Sequence, residues 1–518
     1  MSSPILSRRQ ALAGLSTLIL AGSTRAAIAA SAPFTQGVAS GDPASDGFVL
    51  WTRLAPDPLA ADGLGGMSAP ATVGWTVFSD DALQKPVASG QAETRPDTAH
   101  TVHAEVRGLK PDRPYWYRFE ALGAQSRVGR ARTLPAATSK PEKLSIAYAS
   151  CSNYEQGYFS AYRHMAAENP DFVLYLGDYI YETSAKPDAK VARRHDQAGP
   201  LRTLAAYRNR YALHHLDTDL QDLRAAATAL MTWDDHEVQN DYGGFLSQYM
   251  RDDVNMPMLR RAAYQAYYEA MPLRTLSKPV DGHARLYKGY RFGNLAEINM
   301  LDGRQYRSAA ACPAGDARKG HVVTDACAVH TDPARSMLGF EQEKWLYQRF
   351  AKSQAAWNVL GQDLLVATYL QQSKDKTPVV GHYTDAWDGY PATRDRLLQA
   401  MQATRLKNPV ILSGDLHSFW ANEIKPSPDA ATVATEFLGT SVTSDNPNHA
   451  LMTATWAENP HVKYLNSRTQ GYAAATFTRD HAEVRFMAIS DRADPRATVS
   501  VEKRFVVENG KPAVITLT

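Results

Sequence analysis

The pattern of apolar and polar positions changes character near residue 140. Before it, residues 47–52, 71–78 and 101–106 carry alternating or β-branched residues between turns, and residues 109–119 read as a turn followed by an aromatic alternating strand. Short strands at turn-separated spacing predict a β-sandwich over residues 33–135. It holds no titratable cluster and reads as a packing or substrate-access domain, with sugar or surface binding as the alternative. Residues 134–143, LPAATSKPEK, read as a linker. Beyond it the pattern predicts strands at 144–150, 171–176, 227–233, 357–362 and 409–413, with a hairpin at 285–292 and 295–301. Helices are predicted at 158–168, 201–210, 216–226, 255–270, 340–353 and 394–405, and the tail returns to β at 473–477, 481–487 and 504–507. Alternating strands and helices predict a layered α/β domain over 144–518.

Composition fits this picture: 518 residues, 44% hydrophobic and 21% charged, describe a soluble globular chain of more than one domain. The first 30 residues stand apart. Ser7-Arg8-Arg9-Gln10-Ala11-Leu12 is a twin-arginine pattern, followed by an apolar run and by small residues near 27–29, which predicts an export signal over 1–30. The apolar run, about 12 residues, is too short to span a bilayer, so the expectation is Tat-dependent export to the periplasm or beyond, with no stable membrane anchor. Loss of Arg8, Arg9 and Arg25 takes the net charge from +2 to −1, which gives no sign of a nucleic-acid-binding surface. Twin-arginine cargo often folds with its cofactor before transport, a first pointer to a metal. Cys312 and Cys327, 15 positions apart, are predicted to form a disulfide, worth about 3 kcal/mol in a loop-entropy account. Cys151 is left over.

The chemistry gathers at strand ends. Cys151 follows one strand, Gly177-Asp178-Tyr179-Ile180-Tyr181 a second, Asp234-Asp235-His236 through Asn240 and Asp241 a third, and Gly414-Asp415-Leu416-His417 a fourth. A strand stopping at Gly-Asp holds a carboxylate at the carboxyl edge of a sheet, where open α/β folds place ligands. Singly, such residues also serve as turn caps, and Tyr181 as core. Together, Asp178, Asp234, Asp235 and Asp415 would repel one another, and cations relieve that repulsion. A thiolate with a phenolate suits trivalent iron better than calcium or magnesium. Such a ligand role would also account for Cys151, otherwise a small buried hydrophobe. No Gly-x-Ser-x-Gly elbow points to a serine nucleophile.

Seven motifs, CSNYEQGYFSAYRHMA, DFVLYLGDYIYE, TWDDHEVQNDY, LDGRQYR, MLGFEQEKWL, DAWDGYPATRDRLL and LSGDLHSFW, resemble in combination and order the PhoD family of alkaline phosphatases and phosphodiesterases. The resemblance starts near Phe34, with VASGDPASDGFVLWTRLAP, and runs almost to the C-terminus. The Gly-Asp-x-x-Tyr element at Asp178 and Tyr181 is also similar to that of purple acid phosphatases, which share the wider metallophosphoesterase fold. The pattern L-x-P-x-x-x-Y-x-Y at 109–117 resembles a fibronectin type III corner. The implied fold is a metallophosphoesterase-like layered α/β domain preceded by a small fibronectin III-like sandwich. The implied site holds one Fe3+ and two Ca2+. Cys151, Asp178, Tyr181 and Asp415 would hold the iron, with Asp178 bridging to calcium. Asp235 joins the metal set, and Asn240 and His417 are calcium-side or substrate-side ligands. Asp385 or Asp388, with Asp388 preferred, would complete a calcium site. His236 is a candidate proton donor or phosphate contact, or else a residue orienting Asp235, and Arg304 is a candidate catalytic group. Two departures stand out: Gly303 where the family commonly has Thr, and a β tail where some members close the site with a C-terminal helix.

The expected activity is hydrolysis of phosphate monoesters and diesters by an iron- and calcium-activated hydroxide attacking phosphorus in line. One rival is a phospholipase D-type phosphodiesterase acting on phospholipid or teichoic-acid-like polymers. A rival of another class is an exported binding protein with a structural metal site.

Overall fold

Strand Lys143–Ala149 carries Leu144, Ile146 and Tyr148 on one face and Ala147 and Ala149 on the other, each set in a different core. The period of two makes such a strand apolar on both sides, as a strand buried between two layers must be. Phe172–Leu176 and Thr228–Thr232 repeat the pattern and pair in parallel beside it. The structure is a computed structural model describing residues 33–184, 191–250 and 255–517, so the expected export signal lies outside the described residues. Further strands extend these three into a ten-stranded sheet, with Gly471–Thr478, His481–Ile489, Val499–Glu508 and Lys511–Leu517 antiparallel on one side.

A seven-stranded sheet faces the first. Ala296–Met300, Trp357–Gly361, Pro409–Ser413 and Ala434–Leu438 run parallel in it, and Lys288–Phe292 forms the expected hairpin with Ala296–Met300. Leu174, Leu230, Ile298, Val359 and Val410 belong to the core between the sheets; each such side chain contributes about 1.5–3 kcal/mol on burial. Helices Ser160–Ala167, Leu204–His215, Thr218–Ala226 and Met256–Ala270 cover the outer face of the first sheet, and Phe340–Lys352 and Pro391–Ala403 that of the second. Side-chain caps fix several starts: Thr203 accepts from Ala206 N–H, and Asn255 from Met258 N–H. The layers therefore run helices, sheet, sheet, helices, a mixed α/β fold. No helix among the described residues is long and apolar enough to cross a membrane.

In residues 33–135, Ala71–Phe78, Pro86–Thr94, Pro114–Ala121 and Gly129–Arg132 belong to a smaller sheet. It packs on Val38–Ala44, Gly47–Arg53 and Thr101–Val106 through Phe48, Leu50, Val73, Tyr117 and Phe119. At the expected corner, the Tyr115 hydroxyl accepts from Lys110 N–H at 2.9 Å and donates to the Lys110 carbonyl at 3.2 Å, as in a tyrosine corner. Val38–Ala44 also pairs in parallel with Thr228–Thr232. One sheet of the sandwich thus continues into the large sheet, although Ser40 and Thr228 stand 188 positions apart. A local pattern cannot announce such a pairing.

Asp42 anchors this junction. At a bulge with φ +45°, its carboxylate accepts from Tyr290 Oη at 2.6 Å, from Arg274 N–H at 2.7 Å and from the Lys288 ammonium. Burial alone would raise its pKa, but the Lys288 charge and these hydrogen bonds hold it below the ordinary 3.8. Cys312 and Cys327 form the predicted disulfide, and Cys151 is free and buried.

Candidate metal centre

The carboxyl ends of parallel strands from both sheets meet at one edge. Lys143–Ala149 leads to Cys151, Phe172–Leu176 to Asp178, Thr228–Thr232 to Asp234 and Asp235, and Pro409–Ser413 to Asp415 and His417. Cys151, Asp178, Asp415 and His417 all take left-handed backbone, with φ of +60°, +52°, +67° and +49°. Sparsely populated conformations of this kind cost of order 1–3 kcal/mol each and persist where the surroundings over-determine them. Gly177 shows how tightly the ends converge: a Cβ there would lie 2.3 Å from Asp234 Cβ. Only glycine lets these strand ends pass.

Cys151, Asp178 and His417 bring one ligand atom each within 4.8 Å of one another, and so do Asp178, Asp234, Asp235 and Asp415. The Tyr181 hydroxyl donates to Asp178 Oδ2 at 3.0 Å and lies 3.2 Å from His417 Nε2. Thus Cys151, Asp178, Tyr181, Asp235, Asp415 and His417, expected on four separate motifs, lie together at one edge. Burial raises the Cys151 thiol well above its ordinary value, and the Asp178 and Asp415 carboxylates raise it further. Burial and then the Asp178 charge do the same to the Tyr181 phenol. Asp178 and Asp415 are themselves pushed well above the carboxylate range, by burial foremost, with Asp234 and Asp235 adding repulsion. Burial holds His417 near 4, neutral and free to offer a lone pair.

Internal counter-charge is scarce. The buried Arg304 guanidinium pairs with Asp234, lies 2.9 Å from Asp385 and 3.6 Å from Asp235. Even so, burial outweighs that pairing at Asp234 and lifts it to about 6. Asp235 is lowered despite burial, by Arg304 and then His236. Asp178 and Asp415 make no ion pair with a lysine or arginine among the described residues. Arg304 was expected as a catalytic group. Three carboxylates hold its guanidinium, and it is not among the residues lining the cavity.

Two buried glutamates, unassigned by sequence reasoning, hold the frame. Glu237 accepts backbone N–H bonds from Asp178 at 3.1 Å, Tyr179 at 2.5 Å and Asp234 at 2.8 Å. Glu182 takes the His236 Nδ1 bond at 2.6 Å and Asn240 N–H at 2.9 Å. The ring of His236 is therefore directed by Glu182, and Asp235 meets the His236 backbone N–H, at 3.0 Å. A ring nitrogen of His236 also stands within 4.8 Å of carboxylate oxygens of Asp178 and Asp235.

A second donor group joins Asp235, Asp241 and Asp385. Asp388, preferred from the sequence, is not in it: its Oδ2 accepts from Tyr369 N–H at 2.7 Å and lies 3.5 Å from His382 Nδ1. Asp385, three positions earlier, is the acid delivered to the group. Asn240 lines the cavity, with its Nδ2 on Gln248 Oε1 at 3.2 Å. Asp363, at the end of Trp357–Gly361, went unnoticed in the sequence; both its carboxylate oxygens are buried without a hydrogen bond, beside Gly303. All these groups border a cavity of about 420 Å³ or lie just behind it.

The donor set fits cations. Buried like charges without enough internal counter-charge, next to a thiol, a phenol and a neutral imidazole, match mixed hard and borderline ligation, and several ionised carboxylates together need a compensating positive charge.

Comparison with known proteins agrees with this geometry. The family model for the PhoD-like phosphatase matches residues 146–486, and that for the PhoD-like phosphatase N-terminal domain matches residues 21–135. Alkaline phosphatase D of Bacillus subtilis (strain 168) is 38% identical over 488 residues, 92% of this chain and 81% of that protein. A solved structure described as the structure of PhoD superposes with a TM-score of 0.85 at 38% identity, covering 94% of this chain and 92% of that one. The chain belongs to the PhoD-like phosphatase family and is a phosphoric ester hydrolase.

Proposed function

We propose that this is an exported, metal-dependent alkaline phosphatase hydrolysing phosphate monoesters and diesters, with ferric iron and calcium at the strand-end site. The observation carrying this reading is the convergence of Cys151, Asp178, Tyr181, Asp415 and His417 at one edge, with a second acidic group beside them. Cys151, Asp178, Tyr181 and Asp415 would hold the iron. Asp235, Asp241 and Asp385 would face calcium, with Asn240 and His417 at the calcium or substrate side. The fold is read as metallophosphoesterase-like layering behind a fibronectin III-like sandwich. The twin-arginine pattern supports Tat export to a periplasmic or secreted location, with no stable membrane anchor.

When bound, such cations neutralise phosphoryl oxygens and acidify water. The chain's own residues do the rest. Glu182 fixes His236 at Nδ1 and leaves Nε2 as the nitrogen able to give a proton to the leaving oxygen or bond a phosphoryl oxygen. Glu237 locks the backbone of Asp178 and Asp234, and Arg304 keeps Asp234, Asp235 and Asp385 in register. Lys511–Leu517 pairs at the sheet edge, and no residue of this tail lines the cavity.

The test is metal analysis of the purified protein together with assays on a chromogenic monoester and its diester. The expected result is bound iron and calcium with turnover of both esters. Full activity after exhaustive chelation would contradict it.

A further inference from the structure

The second donor group, Asp235, Asp241 and Asp385, is not held by strand ends alone. Gly320 N–H donates to Asp241 Oδ2 at 2.7 Å. A Cβ at Gly320 would lie 2.9 Å from Asp385 Cβ and 2.2 Å from the Tyr383 hydroxyl oxygen, so the backbone here rests against two of the three acids. Thr384, next to Asp385, exchanges two hydrogen bonds with His321. Its N–H donates to the His321 carbonyl at 2.9 Å, and its hydroxyl accepts from His321 N–H at 3.1 Å. Val322 and Val323 then pair with Tyr383 and His382. Upstream, Arg318 N–H donates to the Gln248 carbonyl at 2.5 Å, and Gln248 Oε1 accepts from Asn240 Nδ2 at 3.2 Å.

All these contacts come from one loop, closed by the Cys312–Cys327 bridge. The loop has little else to hold its shape. Between Arg307 and Ser336 its strands and helices amount to Val322–Val323 and the short turn Ala328–Thr331. Its own apolar cluster is Ala311, Val323 and Cys327 with Cys312 packed beside them, so the two cysteines are half of it. A segment too poor in apolar contacts to build a core is where a covalent link decides the conformation, because the link removes open states of the chain between the two cysteines. His321 Nε2, 2.7 Å from the Cys312 carbonyl oxygen, connects the bridge to the turn carrying Gly320. Cys312 is half-buried, within reach of an external thiol.

We infer that the disulfide loop is the positioning element of the second donor group, and that the Cys312–Cys327 bridge sets how tightly that group holds its cation. The inference deepens the metal-dependent phosphatase reading above and rests on it. Thiol–disulfide exchange with a dithiol breaks the S–S bond and leaves two thiols on this chain and one disulfide on the reductant; a disulfide oxidant reverses it. With the bridge open, Gly320 N–H leaves Asp241, and the hold on Thr384 and Asn240 loosens. Cys151, Asp178, Tyr181 and Asp415, set by strand ends, keep their places.

The test titrates Ca2+ into iron-loaded, calcium-depleted protein, wild type and the double variant Cys312→Ser, Cys327→Ser, with iron content measured on the same samples. The double variant is expected to bind calcium about 10- to 100-fold more weakly, the scale for losing a supporting contact behind a metal ligand, with its iron content unchanged. Equal calcium affinity in the two proteins overturns the inference and leaves the phosphatase reading standing. Loss of iron and calcium together also overturns it, because the bridge then supports the fold as a whole. A wild-type protein that binds no calcium overturns the calcium assignment of the proposed function, and this inference with it. Should the double variant fail to fold, the wild type decides alone, titrated before and after treatment with a trialkylphosphine. That reagent turns the bridge into two thiols while phosphorus takes its oxygen from water. Weakening of about tenfold or more is required, and unchanged affinity with both thiols shown by alkylation refutes the inference.

Discussion

Asp42 and Asp178 are both buried carboxylates on left-handed backbone at the end of a strand pairing, yet the chain treats them in opposite ways. Asp42 is surrounded by the Lys288 ammonium, the Tyr290 hydroxyl and the Arg274 N–H, and its pKa is lowered. Asp178 has the Tyr181 hydroxyl and the His236 N–H, at 3.0 and 3.3 Å, faces Asp234 and Asp235, and is pushed well above the carboxylate range. The first acid is completed by the protein. The second waits for something the chain does not supply. A buried acid that is paired reads as architecture, and a crowd of buried acids that is not paired reads as a place for cations.

That contrast breaks most sharply under substitution. Asp178→Asn is expected to abolish both metal retention and phosphatase activity, read by elemental analysis and ester turnover. With one repelling charge gone, the metal-free variant should melt no lower than the metal-free wild type. Asp42→Ala should do the reverse: metal content persists in the folded fraction, while unfolding free energy falls by about 3–5 kcal/mol, because the Lys288 ammonium loses its partner in a buried setting. Denaturant titration of the two variants side by side decides between these readings.

Glu182→Gln sharpens the picture between the extremes. It keeps the volume but weakens the hold on His236, so kcat should fall roughly 10- to 100-fold with metal content unchanged, the scale of a supporting residue one step from the chemistry. A fall in bound metal instead would move Glu182 into the ligand set.

The smallest effect is in pH. His103, beside the Asp42 junction and stacked on Tyr268, is lowered to about 4 by burial, with the Leu273 carbonyl, Glu105 and Asp42 pulling the other way. His214 is likewise lowered by burial to about 3. The unfolded chain takes up these protons near 6.5 and the folded chain only lower, so their stability contribution is complete above about 6.5 and is lost as pH falls toward 4 and then 3. Asp42, with a lowered carboxyl, adds its own loss as pH falls below 3.8. Between pH 7 and pH 4 the wild type should therefore lose stability relative to His103→Asn, read as a difference in melting temperature that grows as pH falls.

The sequence made much of this visible because the site is written at strand ends. A buried run followed by Gly-Asp, or by Asp-Asp-His, announces a carboxylate at a sheet edge, and Cys151, Asp178, Tyr181, Asp415 and His417 were each legible there. What stayed hidden depends on distant partners. Asp385 and Asp388 sit three apart in one motif, and only the capture of Asp388 by Tyr369 N–H decides which joins the second acidic group. Glu182, Glu237 and Asp363 looked like ordinary acids, because their roles lie in which backbone amides or carboxylates surround them. Strands Phe419–Ile424 and Val462–Asn466 had no clear local signal, and the parallel pairing of Val38–Ala44 with Thr228–Thr232 spans most of two folding units.

In the proposed function, Tyr181, with Cys151, Asp178 and Asp415, would hold ferric iron. Visible absorption of the purified, metal-loaded protein tests it most directly. The expected result is a broad charge-transfer band that disappears in Tyr181→Phe while the chain stays folded. A colourless, iron-free protein with full phosphatase activity, or a band that survives Tyr181→Phe unchanged, would contradict it.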